Sequence, residues 1–142
     1  MKIRKHAILF ALGGLAYCGL ELLWRGRTHY SMFLAGGASL ILIGKLNRVE
    51  PKLPLPLRAG AGSGIITMVE LTAGLIFNRD YRVWDYRGHW GNWLGQICPL
   101  FSLIWIGIAL VALLIYDPKT EQLFFDSVYY YTATMDRWPL EE

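Results

Sequence analysis

The sequence predicts an all-α integral membrane protein: four transmembrane helices arranged as two hairpins, an irregular interfacial or re-entrant segment before the fourth, and a short amphipathic C-terminal helix. Three observations carry this. Hydrophobic residues make up 54% of only 142 residues, too many for a water-facing domain of that size. They fall in blocks of spanning length rather than in amphipathic stripes. A three-proline connector divides the blocks into two pairs.

The first block, residues 6–24, has the length of about 20 residues needed at ~1.5 Å rise to cross a ~30 Å hydrocarbon layer. Its basic start, Met1-Lys2-Ile3-Arg4-Lys5, also suits a signal peptide, but residues 20–27 lack a small-x-small cleavage site and Glu21 sits inside the block. The second block, 30–46, is short and can begin in the interface. The connector 47–56 follows, with Pro51, Pro54 and Pro56 favouring an extended chain. The third block is 57–77 and the fourth 95–116. Between these two lies the segment 80–94, whose Gly88, Gly91 and Gly95 oppose a regular helix. Irregular backbone at membrane depth is tolerated only where protein or water covers it.

In the tail, 117–142, Asp117-Pro118 reads as an N-cap with Pro at the first helical position. Phe124, Val128, Tyr131 and Met135 then recur at helical spacing, opposite Asp126, Thr134 and Asp136. That pattern suits a helix on the membrane surface, and equally an unstructured aromatic tail. All 142 residues read as one membrane domain.

Lys and Arg set the orientation. With the N-terminus cytoplasmic, the inner segments hold nine basic residues and the outer loops five, which places both termini inside. The expected location is a bacterial cell membrane. The net charge of +3 reads as attraction to lipid headgroups rather than to nucleic acid. Cys18 and Cys98 both fall within spans and read as buried thiols.

A carboxylate inside a span costs at least a few kcal/mol, so each requires a reason. Glu70 lies on a stripe of small and polar groups, Gly62/Ser63, Thr67, Glu70, Gly74 and Asn78, which should face protein or water rather than lipid. Two roles fit Glu70: a structural hydrogen-bonded or salt-bridged carboxylate, or a transport and proton-handling group. Glu21 shares a face with Gly14 and forms an i,i+4 pair with Arg25. Gly60 and Gly64 form a GxxxG pair where a neighbouring helix could approach closely. A weak parallel repeat of the two Glu-bearing hairpins is also conceivable.

Arg79, Asp80, Arg82, Asp85 and Arg87 fall on the same outer side as both Glu residues, so an interlocked acid and Arg cluster is expected there. Trp84, Tyr86, Trp90 and Trp93 are expected as interface anchors. His29 and His89 are the weakest candidates, because neither has a ligand-pair spacing; no metal site is expected. The chain contains no phosphate-binding loop, nucleophile elbow or Cys–His catalytic motif, so neither a cofactor nor an enzymatic activity is expected.

Trp84-Asp85-Tyr86, followed by Gly95-Gln96-Ile97-Cys98-Pro99-Leu100-Phe101-Ser102-Leu103 and Trp105, resembles the putative ABC-transporter type IV family of small membrane proteins. So do residues Glu21 to Arg27 and Glu70 to Gly74. The resemblance spans roughly residues 10–116 and places Gln96 among the polar candidates. It implies a permease whose ATPase would be a separate subunit, and it transfers no catalytic residues. Between Tyr86 and Gly95 the family usually shows Ser-Asn-x-Pro-Phe-Asn, where this chain has Arg87-Gly88-His89-Trp90-Gly91-Asn92.

Two functions follow as expectations. One is a transporter or channel component with Glu21, Glu70 and the Arg cluster along a polar path; the other is a non-transporting scaffold that binds lipid or a membrane partner. Four helices enclose little room, so homo-oligomers or partner subunits are expected in either case.

Overall fold

A computed structural model describes residues 2–49 and 52–135. Five helices are present and no strand among the described residues: α1 (Lys2–Arg25), α2 (Tyr30–Val49), α3 (Leu55–Phe77), α4 (Pro99–Ile115) and α5 (Pro118–Met135). The helices α1 from Arg4 onward, α2 and α3 are long and apolar enough to cross a membrane. The 17-residue α4 meets α5 at a bend of 67°.

Three boundaries differ from the sequence reading. The second helix is not short, because Asn47, Arg48 and Val49 continue it. The connector contributes two residues to α3, with Pro54 as its N-cap and Pro56 in its first turn, where the missing N–H costs nothing; Glu50 and Pro51 lie outside the described residues. The fourth helix starts at Pro99 rather than at 95, because Gly95 takes a φ of +64° that no right-handed helix accommodates. In the tail, α5 begins at Pro118 as expected, while Asp136 lies beyond the described residues.

The glycines of α1 and α2 bring the two helices together. A Cβ at Gly13 would lie 2.5 Å from the carbonyl oxygen of Gly36, and one at Gly14 would lie 2.6 Å from the Phe33 ring. Small residues here replace hydrophobic burial with close backbone packing. Helices α3 and α4 are joined differently: Ser63 Oγ donates to the carbonyl of Ser102 at 2.5 Å, and Thr67 and Ser102 hydroxyls meet at 2.9 Å. Near the end of α4, Tyr116 donates to the Leu40 carbonyl at 2.8 Å, its ring lying against Gly44. Gly60 and Gly64, in contrast, have nothing within 4 Å of an added Cβ, so no helix of this chain uses that GxxxG pair.

Two apolar clusters hold the helices. One joins Leu9, Leu40, Ile43, Ile66, Ala109 and Leu113. The other, at the opposite end, joins Met32, Ala35 and Ala73 to Val83, Trp84, Tyr86 and Cys98. Large apolar side chains also cover the outside, among them Leu15, Leu23, Met68, Ile76, Leu103 and Val111. Apolar on both faces is the signature of a helix whose solvent is lipid.

Candidate functional site

The stretch between α3 and α4 folds down over the outer end of the helices. Asn78, wholly buried at the C-cap of α3, organises it. Its carboxamide donates to the Trp84 carbonyl at 2.7 Å and to Gln96 Oε1 at 2.9 Å, and accepts the backbone N–H groups of Val83 and Trp84 at 2.9 and 3.2 Å. Gln96 returns a bond from Nε2 to the Asn78 carbonyl at 3.0 Å, and the Trp84 indole donates to the Gln96 carbonyl at 3.0 Å. Thus the start and end of the segment are tied to one helix terminus through fully satisfied buried amides.

The turn between those ends needs left-handed backbone. Tyr81 and Leu94 adopt φ of 58° and 54°, Gly91 and Gly95 φ of 67° and 64°. Gly95 has a second reason to be glycine: an added Cβ would lie 2.6 Å from Arg87 Cγ and 2.7 Å from the Tyr81 ring. Arg87 lies over that ring at 4.1 Å, a cation–π contact.

Beneath this cap sits Glu70, 4% exposed. The Tyr86 hydroxyl donates to Oε1 at 2.7 Å and the Trp105 indole to Oε2 at 3.0 Å, so one carboxyl group links α3, the cap and α4. Burial, and then the neighbouring Glu70 carboxylate, push the Tyr86 phenol well above its usual pKa, which keeps it a donor. The gap beside Glu70, lined by Tyr17, Met32 and Val69, has no room for a water molecule.

The expected interlocking of Glu70 with the outer arginines is not present. Arg82 pairs with Asp80 at 3.0 Å and Arg87 with Asp85 at 2.7 Å, both at the exposed surface. The Arg87 guanidinium and backbone N–H hold the Asp85 carboxyl down to about 2. Arg79 bonds the carbonyl of Leu75. Arg25 pairs with Glu21 through Nε at 2.6 Å and also bonds the Val83 carbonyl, so this pair touches the cap without reaching Glu70. Short-range partners one turn or two residues away satisfy each guanidinium more directly than a distant carboxylate.

Trp84 and Tyr86 are 4% and 8% exposed and belong to the packed interior rather than to an interface belt; their polar atoms find partners only inside. Trp90 and Trp93 stand 87% and 60% exposed. His29 Nδ1 contacts the Ser31 hydroxyl at 2.7 Å, and the His89 ring packs edge-on against Tyr86 and Phe101. No group of three His, Cys, Asp or Glu side chains with metal-binding geometry occurs among the described residues. Gly74 packs under Gln96 and Trp84, against the cap rather than another helix.

Two participants escaped the sequence reading. Trp105, read only as part of a motif, is a ligand of Glu70, and Tyr17 packs on it at 5.6 Å between ring centres. A position one polar atom away from a buried carboxylate on a different helix leaves no trace in local spacing. On the other side of Trp105, an apolar cleft of about 260 Å³ opens between α1 and α4, with Glu21 and Trp24 at its rim.

A sequence model of the family described as putative ABC-transporter type IV matches residues 29–136. No curated protein and no solved structure matches the chain.

Proposed function

The chain belongs to the putative ABC-transporter type IV family, and on that premise we propose that it is an integral-membrane subunit of a transport assembly. Its own helices form a packed unit with no conducting path through them, and energy coupling belongs to a separate ATPase. In this reading α1, α2 and α3 span a bacterial cell membrane, and α4 with the start of α5 makes the fourth crossing. Both termini are cytoplasmic, as the excess of inner Lys and Arg favours. Trp90 and Trp93 anchor the cap in the outer interface, and lipids, a second copy or partner subunits cover the apolar outer faces.

The observation that carries this reading is the closure of Glu70. A conducting carboxylate requires water or a second titratable group within reach, whereas both oxygens of Glu70 are taken by an indole and a phenol. A second reading, a channel component, draws support from the cleft between α1 and α4: Trp105 separates it from Glu70, so a swing of that indole would expose the carboxyl group.

Reconstitution into liposomes containing a pH-sensitive dye separates the two. The subunit reading expects no proton flux from this chain alone and an ATP-hydrolysing partner on purification from its native membrane. A flux that Glu70→Gln abolishes while the helices stay folded would establish the channel reading instead.

A further inference from the structure

We propose that the outer end of the α2–α3 pair is a binding site for an anionic phospholipid, its phosphate among Arg25, Arg27, His29 and Arg82 and an acyl chain in the groove below. The polar part is a pocket of about 340 Å³ between the α1–α2 turn and the beginning of the cap, lined also by Asp80 and Phe77. Three guanidiniums face a single carboxylate there. Asp80 is taken by Arg82, and Arg25 by Glu21 behind it. Arg27 has no hydrogen-bond or ion-pair partner among the described residues and is exposed, so the pocket carries an uncompensated positive charge.

Two further features favour an anion. The pocket lies at the N-terminus of the 20-residue α2, where the helix dipole and free backbone N–H groups attract negative charge. His29 Nδ1 accepts the backbone N–H of Ser31 at 3.2 Å, so the neutral ring keeps its proton on Nε2 as a donor. A planar guanidinium fork matches two phosphate oxygens, which a hydrated ammonium group does not.

The apolar part decides between a free anion and a lipid. A groove of about 470 Å³ runs along α2 and α3 between Leu34, Leu42, Met68 and Ile76, floored by Ala38 and Ala73. Phe77 lines both pocket and groove, and Ser31, bonded to His29, lines the groove's upper end. A cationic pocket directly continuous with a hydrocarbon groove is complementary to one molecule carrying a phosphate at one end and a chain at the other. The assignment does not depend on the transport reading.

The test uses the full chain in detergent, with native mass spectrometry and thermal unfolding as readouts. Phosphatidylglycerol is expected to stay bound and raise the unfolding temperature, whereas phosphatidylcholine and inorganic phosphate do neither. Arg27→Gln with Arg82→Gln should weaken phosphatidylglycerol binding about tenfold or more, the loss of one charge-assisted contact, without changing unfolding in its absence. Thr72→Phe, which fills the groove from an exposed position, should lower lipid retention with the arginines intact. Equal protection by inorganic phosphate would overturn the lipid assignment in favour of a free anion. Equal binding of both lipids would overturn the role of the arginines. A concentration-dependent dimer that Thr72→Phe dissolves would overturn it in favour of a second copy in the groove.

Discussion

At the scale of single residues, the most consequential choice is which donors serve Glu70. An unpaired buried carboxyl group is among the costliest defects a helix bundle can hold, and here the solution is neutral donors rather than arginine. Tyr86→Phe should therefore destabilise the protein by about 1–3 kcal/mol, the cost of leaving a buried acceptor unmade, read as lowered thermal stability in detergent. Combining it with Glu70→Gln should be less than additive, because the two changes remove the same bond; additive losses would show that the bond contributes nothing. Asn78→Ala should cost more than either single change, since it orphans the Val83 and Trp84 N–H groups and the Gln96 side chain together. The near-complete burial of Asn78 was visible in the sequence only as the last member of a polar stripe. What made it a hub is the return of residues 83–96 to the same point.

The cap shows, at the scale of elements, why glycine spacing was informative and aromatic content misleading. Gly91 and Gly95 do mark left-handed turns, as their conformational freedom suggests. The tryptophans and tyrosines looked alike in sequence, yet Trp84 and Tyr86 point inward while Trp90 and Trp93 point outward. Backbone reversal at Gly91 and Leu94 separates the two sets, and no local rule carries that information. Gly95→Ala should open the cap through both the positive φ and the collision with Arg87 and Tyr81, seen as faster proteolysis within residues 80–98. The Asp85–Arg87 pair adds a pH signature. Because the Asp85 carboxyl is lowered from 3.8 to about 2, its contribution is complete above about pH 4 and disappears as pH falls through 2. Tryptophan fluorescence should show a local acid transition there, and Asp85→Asn should remove it.

Across the whole molecule, glycine contacts rank the helix interfaces. Gly36→Val places a branched side chain against the Gly13 backbone and Tyr17, and should separate α1 from α2, losing several kcal/mol as overpacked interiors do. Gly64→Leu meets nothing and should leave stability unchanged; a loss of assembly without a loss of monomer stability would locate a partner on that face. Orientation is open to direct test. Single cysteines at Trp90 and Lys52 should react with impermeant thiol reagents from opposite sides of the membrane, with Cys18 and Cys98 replaced; labelling from one side would refute the four-crossing arrangement.

By itself the sequence determined the solvent of this protein, the number of long apolar helices and the irregularity of the segment before the last. Each follows from properties additive along the chain: apolar length, proline and glycine placement, and the cost of burying charge. It also marked Glu70, Asn78, Gln96 and the Glu21–Arg25 pair as residues with something to explain. Only the tertiary structure decided the partners. Whether a buried carboxyl meets Arg82 or Tyr86, or a tryptophan faces lipid or core, depends on how residues 16 to 35 positions apart are brought together. Hydrogen bonding is short-ranged and directional, so a few ångströms of backbone path select among chemically equivalent candidates that composition and spacing leave equal.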